Sequence, residues 1–276
     1  MRTTEPAVTA ATSIASSLGL PVDEAIELNN SNKLTLRLVP CDVLARVAPV
    51  ADQIAQFEVD LAQSLAAVGS PVAALMEPRV FERDGFTVTL WRYYAPVASM
   101  SPASYAEALE QLHAGMRKVE FPTPHFTDRV ADAQQLLADR DRTPELADAD
   151  RELLVNTLRR LIQRIVDREG AEQLLHGEPH PGNLLATSDG PIFIDLETCC
   201  RGPVEFDLAH APDDVSEHYP AVNHDLLREC RVLMRAMVTA WRWDRDDQLP
   251  NGRSWGIEGL NQVRGALDRF GMDVAD

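Results

Sequence analysis

Two short segments in the second half of the chain carry the polar residues that most constrain its fold and chemistry. Residues 174–185 read LLHGEPHPGNLL, and residues 192–197 read IFIDLE. The Ile-Phe-Ile run of the second segment is typical of a buried strand. The Pro-Gly pair of the first segment predicts a turn, because proline presets φ and glycine tolerates the left-handed conformation. The two segments therefore predict neighbouring turns that present Glu178, Asn183 and Asp195.

These three side chains suit the transfer of a phosphoryl group to a hydroxyl. A hydroxyl nucleophile needs a nearby carboxylate to accept its proton, and Glu178 is the candidate for that role. Magnesium prefers oxygen ligands and bridges nucleotide phosphates, and Asn183 and Asp195 can supply such oxygens. A carboxylate that directly follows an apolar strand is either paired or bound to a metal, because its burial is otherwise costly.

The segments resemble the catalytic and metal-binding motifs of the aminoglycoside phosphotransferase and choline kinase-like family, within the protein-kinase-like fold. The usual family pattern is His-Gly-Asp-x-His-x-x-Asn, followed by Asp-x-Glu or Asp-x-Asp. The downstream run GPVEFDLA at residues 202–209 also resembles the family's continuation. The resemblance implies ATP and Mg²⁺ as cofactors, with Glu178 as the catalytic residue and Asn183 and Asp195 as metal ligands.

Four further residues receive expected roles from these motifs. His176 and His180 are expected to brace the loop through hydrogen bonds, because an in-line displacement served by a carboxylate and a metal does not need them chemically. Asp207 is expected to have a bracing role as well. Glu197 either touches a second metal or faces solvent, and the sequence leaves both alternatives open.

The sequence departs from the family pattern at the residue that accepts the proton. Glu178 stands where the family has Asp, and its carboxylate lies one methylene, about 1.5 Å, further from the backbone. One interpretation is an active subfamily whose acceptor sits slightly further away. The other is a weakened or inactive nucleotide-binding homologue, since a ~1 Å displacement of a catalytic group can cost ~100-fold in rate. The intact metal pair favours the active subfamily.

A zinc site is the competing interpretation of the same letters. His176-Gly-Glu178 resembles the His-x-Glu signature of nucleobase deaminases. Those enzymes also need Pro-Cys-x-x-Cys, whereas Cys199 and Cys200 are adjacent and no paired cysteine spacing occurs. The missing cysteines make zinc chemistry the weaker interpretation.

The N-terminal third predicts the sheet that covers a nucleotide in kinase-like folds. Residues 24–39 read as two strands around a polar turn, and a third strand follows at residues 43–47. The resemblance places the phosphate loop in that turn, at residues 29–32, although the turn lacks glycine. It also makes Arg46 of the third strand the phosphate contact, paired with Glu58 on the following helix.

The next strand leads into the segment that joins the lobes in kinase-like folds. Residues 86–94 alternate apolar and polar side chains before Ala95-Pro96. The resemblance makes Trp91 and Tyr93 candidates for nucleotide binding, whereas an aromatic cluster without this context is more often plain core. Helical patterns then follow, at residues 104–117, 152–166 and 225–241. The charged residues 139–151 are expected to form an exposed connection.

We therefore expect a two-lobed α+β fold of the protein-kinase type. A small N-terminal antiparallel sheet lobe with one helix, residues 1–94, would cover the nucleotide. A larger, mainly helical C-terminal lobe, residues 95–276, would carry the catalytic and acceptor sites. The expected activity is ATP-dependent phosphorylation of a small-molecule hydroxyl.

Composition and charge narrow the class of partner. The formal net charge of −17 disfavours nucleic acid, whose phosphates need a basic face, and favours attraction of cationic ligands. A cationic aminoglycoside-like or amino-alcohol acceptor is one candidate, and the acidic residues at 213, 214 and 217 could line its pocket. Four scattered cysteines and the lack of a long apolar stretch favour a cytoplasmic protein without a membrane partner.

Overall fold

The chain folds into two compact units. The computed structural model describes residues 4–30, 33–51, 54–97, 99–168 and 170–271. One unit spans Met1–Phe121 and Pro181–Thr198, and the other spans Pro122–His180 and Cys199–Asp276. We call them the sheet unit and the helical unit. The division expected after residue 94, into a nucleotide-covering lobe and a catalytic lobe, stays a prediction.

An antiparallel five-stranded sheet forms the centre of the sheet unit. Its strands have the order β1-β2-β3-β5-β4. The alternation in β2 buries its leucines on one face and leaves Thr35 and Arg37 partly exposed, as a period of two requires. The strands are β1 (Val22–Asn30), β2 (Leu34–Pro40), β3 (Val43–Pro49), β4 (Leu75–Arg83) and β5 (Phe86–Arg92).

Among the described residues of the sheet unit, three α-helices and a hairpin accompany the sheet. Helix α1 (Thr4–Ser17) buries small residues such as Ala11 against the leucines of β2. The other two helices are α2 (Ile54–Ala67) and α3 (Pro102–Met116), and the latter begins at a Ser101 N-cap that accepts from the Ser104 N–H at 3.2 Å. The hairpin pairs β7 (Leu184–Thr187) with β8 (Gly190–Phe193).

In the part of the helical unit that the structure describes, five α-helices surround one short strand pair. The two strands, β6 (Gln173–Leu175) and β9 (Cys200–Gly202), pair antiparallel. Phe126 and Phe206 are buried beside them with ring centroids 5.1 Å apart. No helix within the described residues is long and apolar enough to cross a membrane. The helices are α4 (Phe126–Ala138), α5 (Asp148–Val166), α6 (Val204–His210), α7 (His224–Trp241) and α8 (Gly252–Phe270).

The connection before α5 is exposed along most of its length and contains a few buried residues. Thr143 is fully buried, and Arg151 is only 8% exposed. The Arg151 guanidinium donates to the backbone oxygen of Leu137 and to both oxygens of Thr143, at 2.7 Å for Oγ1 and 2.9 Å for the carbonyl. The expectation of an exposed connection holds for most of residues 139–151. Thr143, Leu146 and Arg151 are the buried exceptions, and the Arg151 guanidinium satisfies backbone oxygens of the turn.

Candidate functional site

Arg46 of β3 lies at the centre of a cluster of charged side chains in the sheet unit. Its guanidinium contacts the carboxylate of Glu58 on α2 and donates to Asp195 Oδ1 at 2.7 Å. The distance from Arg46 Nη2 to Glu197 Oε2 is 3.9 Å. Glu58 also accepts a hydrogen bond of 3.2 Å from the Leu196 N–H. The structure therefore brings the predicted pair of Arg46 and Glu58 together with Asp195 and Glu197.

Lys33 is a member of this cluster that sequence reasoning missed. Its Nζ contacts Glu197 Oε2 and lies 3.6 Å from Glu58 Oε2. The Lys33 side chain is only 7% exposed, although lysine is rarely buried unless it is paired. The sequence feature that could have drawn attention to Lys33 is the rarity of lysine, since the chain has two lysines. Glu197, which was expected to touch a metal or face solvent, is 21% exposed and paired with Lys33.

The charges in the cluster shift the protonation equilibria of its members. Burial alone would lower the pKa of the Arg46 guanidinium, but the carboxylates of Glu58, Asp195 and Glu197 raise it above its ordinary value. Burial raises the pKa of Glu58, and the positive charges of Arg46 and Lys33 oppose that rise. Arg46 therefore stays charged, and the ionised form of Glu58 depends on its two cationic neighbours.

Asn183 and Asp195 lie at the same end of the β7–β8 hairpin. Asn183 ends the short 3₁₀ turn before β7, and its carbonyl accepts from the Ile194 N–H at 3.0 Å. Asp195 follows two residues after β8 and has a left-handed φ of 65°. The two predicted metal ligands are therefore brought to one end of the hairpin by its register, in which Leu184 pairs with Phe193.

A cavity of about 400 Å³ opens beside the cluster within the sheet unit. Arg46, Glu58, Asn183 and Asp195 line its polar part. The predicted nucleotide-binding aromatics also line it. Its other walls are largely apolar, and they are formed by Leu28, Leu44, Ala73, Trp91, Tyr93, Tyr94, Leu185 and Phe193.

The aromatic residues of this cavity are held in place by their neighbours. Trp91 is 5% exposed, and its indole N–H donates to Thr89 Oγ1 at 2.8 Å. The guanidinium of Arg37 lies 4.1 Å from the ring centroid of Tyr93. Of the expected phosphate loop, Asn29 lines the cavity, whereas residues 31 and 32 lie outside the described residues.

The helical unit carries the other motif residues on the loop after β6. Asp207 of α6 is fully buried, and its two carboxylate oxygens accept 2.8 Å hydrogen bonds from the N–H groups of His176 and Gly177. Gly177 has a φ of 83°, a conformation that glycine adopts without strain. The loop therefore leaves β6 in a fixed direction before it reaches Glu178.

Glu178 is held by a residue that sequence reasoning did not single out. Arg129 of α4 donates to the Gly177 carbonyl at 2.9 Å and to Glu178 Oε2 at 3.3 Å. The Glu178 N–H donates to His176 Nδ1 at 3.4 Å, and the Glu178 carbonyl accepts from the His180 N–H at 2.8 Å. No local sequence signal marks Arg129, because it precedes the loop by 48 positions.

A buried histidine lies against the same loop. Burial, followed by the positive charge of Arg129, lowers the pKa of His210 to about 3. His210 packs edge-on against Phe206, with ring centroids 5.3 Å apart. The imidazole is therefore neutral at pH 7.

Sequence comparison shows which family combines these motifs. The profile of the Phosphotransferase enzyme family matches residues 28–237. The chain belongs to this phosphotransferase family. The match confirms the resemblance read from the two motifs, and it includes every residue named in the cluster. A comparison with curated proteins found no match.

Solved structures confirm the protein-kinase-like α+β fold of this phosphotransferase. Amicoumacin kinase hAmiN, solved in complex with AMP-PNP, Ca²⁺ and Ami, is 9% identical, with 96% of each chain covered and a TM-score of 0.73. Choline kinase LicA from Streptococcus pneumoniae is 15% identical, with 94% of this chain and 97% of that chain covered and a TM-score of 0.69. A choline/ethanolamine kinase family protein from Mesorhizobium loti is 17% identical, with 88% of each chain covered and a TM-score of 0.66.

The donor set of the phosphotransferase cavity fits a hard divalent cation. Asn183 and Asp195 offer amide and carboxylate oxygens, which are the ligands that magnesium prefers. Three carboxylates in the cluster face only two cations, Lys33 and Arg46, so the formal charge is negative before any ligand binds. Within the described residues, no group of three His, Cys, Asp or Glu side chains could hold a metal ion.

Proposed function

We propose that this phosphotransferase transfers the γ-phosphoryl group of ATP, with Mg²⁺, to a hydroxyl of a small molecule. The observation that carries the proposal is the contact of Arg46 with both Glu58 and Asp195 at the wall of a cavity that Asn183 also lines. Phosphoryl transfer depends mainly on positioning and on charge stabilisation, and this cluster supplies groups for both.

In this proposal the polar wall of the cavity binds the phosphates and the metal ion, and the apolar wall binds the base. Arg46 would bind the phosphates, because a guanidinium donates to two oxygens and keeps its charge. Glu58 would orient Arg46 for that contact. Trp91 and Tyr93 would pack on the base. Asn183 and Asp195 would hold Mg²⁺, which neutralises phosphate charge when bound.

Glu178 would accept the proton of the acceptor hydroxyl. Its carboxylate is 26% exposed, so it can meet a substrate, and Arg129 holds one of its oxygens. His176, His180 and Asp207 would act on this carboxylate through the backbone of its loop. The hydrogen bonds from His176 and Gly177 to Asp207 support that bracing role.

We further propose a cationic acceptor, such as an amino alcohol or an aminoglycoside. The net charge of −17 favours such ligands over anionic ones. The structural neighbours include proteins named choline kinase and aminoglycoside phosphotransferase. Asp213 contributes little to this argument, because it pairs with Arg231 at 3.2 Å in a cavity lined by four arginines.

An acceptor screen by ADP release tests this function. Purified protein would be given Mg-ATP with amino alcohols, aminoglycosides, neutral sugars and simple alcohols. We expect ADP release with at least one amine-bearing acceptor and none from Asp195→Ala. Turnover with neutral sugars alone would overturn the cationic class, and full activity in Asp195→Ala would overturn the metal assignment.

The competing candidate is a nucleotide-binding protein without catalysis. The observation that favours it is the replacement of the usual Asp by Glu178, whose carboxylate is already paired with Arg129. Titration calorimetry with Mg-ATP separates the two candidates. Normal binding, no ADP with any acceptor, and the appearance of activity in Glu178→Asp would establish the non-catalytic role.

A further inference from the structure

Arg129 contacts the loop that carries Glu178 at two points. One nitrogen of its guanidinium donates to the Gly177 carbonyl at 2.9 Å, and the other donates to Glu178 Oε2 at 3.3 Å. The Arg129 side chain is 16% exposed and that of Glu178 is 26% exposed. The pair is therefore partly shielded from solvent. An ion pair in such a position fixes the geometry of its side chains better than a pair on an open surface does.

The guanidinium itself is restrained from another direction. Its Cζ lies 5.2 Å from the ring centroid of Trp241 at the end of α7. A guanidinium over an indole face is attracted by the negative charge of that face. Because the backbone of Arg129 lies in α4 and its charged end lies against α7, the position of Nη2 is fixed by two helices.

We infer that Arg129 is a positioning residue that fixes the carboxylate of Glu178 for proton acceptance. This inference rests on the proposed function. Glutamate has one more rotatable bond than the aspartate that the family usually has, so its carboxylate samples more positions unless a partner holds it. Arg129 supplies that partner, and its second hydrogen bond ties the same guanidinium to the preceding residue of the loop.

The first test replaces the cation and measures steady-state kinetics. Arg129→Met is expected to lower kcat by about 10- to 100-fold, because a displacement of ~1 Å at a catalytic group has effects of that size. The KM for ATP should stay within about threefold, since Arg129 belongs to the helical unit and the nucleotide-binding cluster to the sheet unit. Arg129→Lys should keep intermediate activity, because one ammonium cannot reproduce the planar fork.

A matched control separates positioning from general loss of a partly buried arginine. Arg242 is 19% exposed, pairs with Asp247 at 3.0 Å and belongs to the same unit. Arg242→Met should leave kcat unchanged. Added guanidinium ion should restore part of the kcat of Arg129→Ala and none in a folded Glu178→Gln variant. If Arg129→Met does not fold, the kcat of Arg129→Lys and the rescue of Arg129→Ala by guanidinium ion still test the positioning role.

The second test combines the Arg129 change with a shorter carboxylate. Glu178→Asp withdraws the carboxylate by about 1.5 Å, so the contact with Arg129 is lost. Adding Arg129→Met to Glu178→Asp should therefore cost less than threefold in kcat, far less than in the wild-type background. Equal costs in both backgrounds, or wild-type kcat in Arg129→Met, would overturn the inference while the proposed function stands. If wild-type protein turns over no acceptor, the function fails and the inference fails with it.

Discussion

Replacing Glu58 by Gln tests whether the cluster in the sheet unit is held by an ionised carboxylate. The side chain of Glu58 is 2% exposed and meets two cations, one of them Lys33 at 3.6 Å. At that distance the Coulomb attraction is about 4.6 kcal/mol at an effective dielectric constant of ~20, before desolvation is subtracted. Removing one partner of a buried pair typically costs 3–5 kcal/mol, since the other charge is left unpaired. Glutamine keeps an acceptor for the Leu196 N–H, so we expect about 3 kcal/mol.

The assay is thermal unfolding by scanning calorimetry beside a control on the same helix. A loss of about 3 kcal/mol corresponds to a Tm lowered by roughly 6–12 °C for a unit of this size. Asp60 is exposed on α2 and its carboxylate accepts from the Gln56 amide at 2.7 Å, so Asp60→Asn should change Tm by less than about 2 °C. A shift that small in Glu58→Gln would refute the reasoning, because it would mean that Glu58 carries a proton in the folded protein.

Three further predictions follow from the helical unit. Asp207→Asn should destabilise the protein by about 2–3 kcal/mol in urea titrations and lower kcat, because its one amide oxygen replaces two carboxylate oxygens that each accept a backbone N–H. An unchanged free energy of unfolding and an unchanged kcat would show that Asp207 does not brace the loop. Gly202→Ala places a Cβ 2.8 Å from the Phe126 ring and should lower the free energy of unfolding by about 1–3 kcal/mol. Gly265→Ala meets nothing within 4 Å and should raise the free energy of unfolding by up to about 1 kcal/mol, because alanine favours the helix. Equal effects of the two substitutions would contradict the packing. His210 stays neutral when folded, so as pH falls from 6.5 toward about 3 only the unfolded chain gains its proton, which removes about 1.4 kcal/mol of stability per pH unit. Urea titrations of His210→Gln over that range should lack this component of the slope, and an identical slope would contradict the shift.

Local patterns in the sequence predicted the elements with strong periodicity. The alternating leucines of β2 and the apolar stripe of α7 follow periods that depend only on nearby residues. The motif segments predicted the turn before Asn183 and the strand before Asp195, because proline, glycine and a β-branched run have local conformational preferences.

Among the elements that escaped prediction, helix α1, strand β4 and helix α8 did so for identifiable physical reasons. Helix α1 buries mostly alanines, whose small side chains give little hydrophobic periodicity. Strand β4 contains Pro78, which cannot donate to a ladder and usually argues against a strand interior. Helix α8 contains several glycines, which lower helix propensity, although Gly256 and Gly259 allow close approach to Trp243 and Thr239.

The contacts of the candidate site could be inferred only in part. The family resemblance named Arg46 and Glu58 as a pair, and the two side chains are in contact. Lys33 and Arg129 were missed because their partners lie 164 and 49 positions away. A single sequence without paired motifs carries no signal for such long-range ion pairs.

The burial of Lys33 has a practical consequence for labelling. Only two side chains of this protein carry an ε-amine, and Lys33 is enclosed by Glu58 and Glu197. Lys118 is exposed after α3. Of the two lysine side chains, amine-directed fluorophores or cross-linkers should therefore react at Lys118 rather than at Lys33.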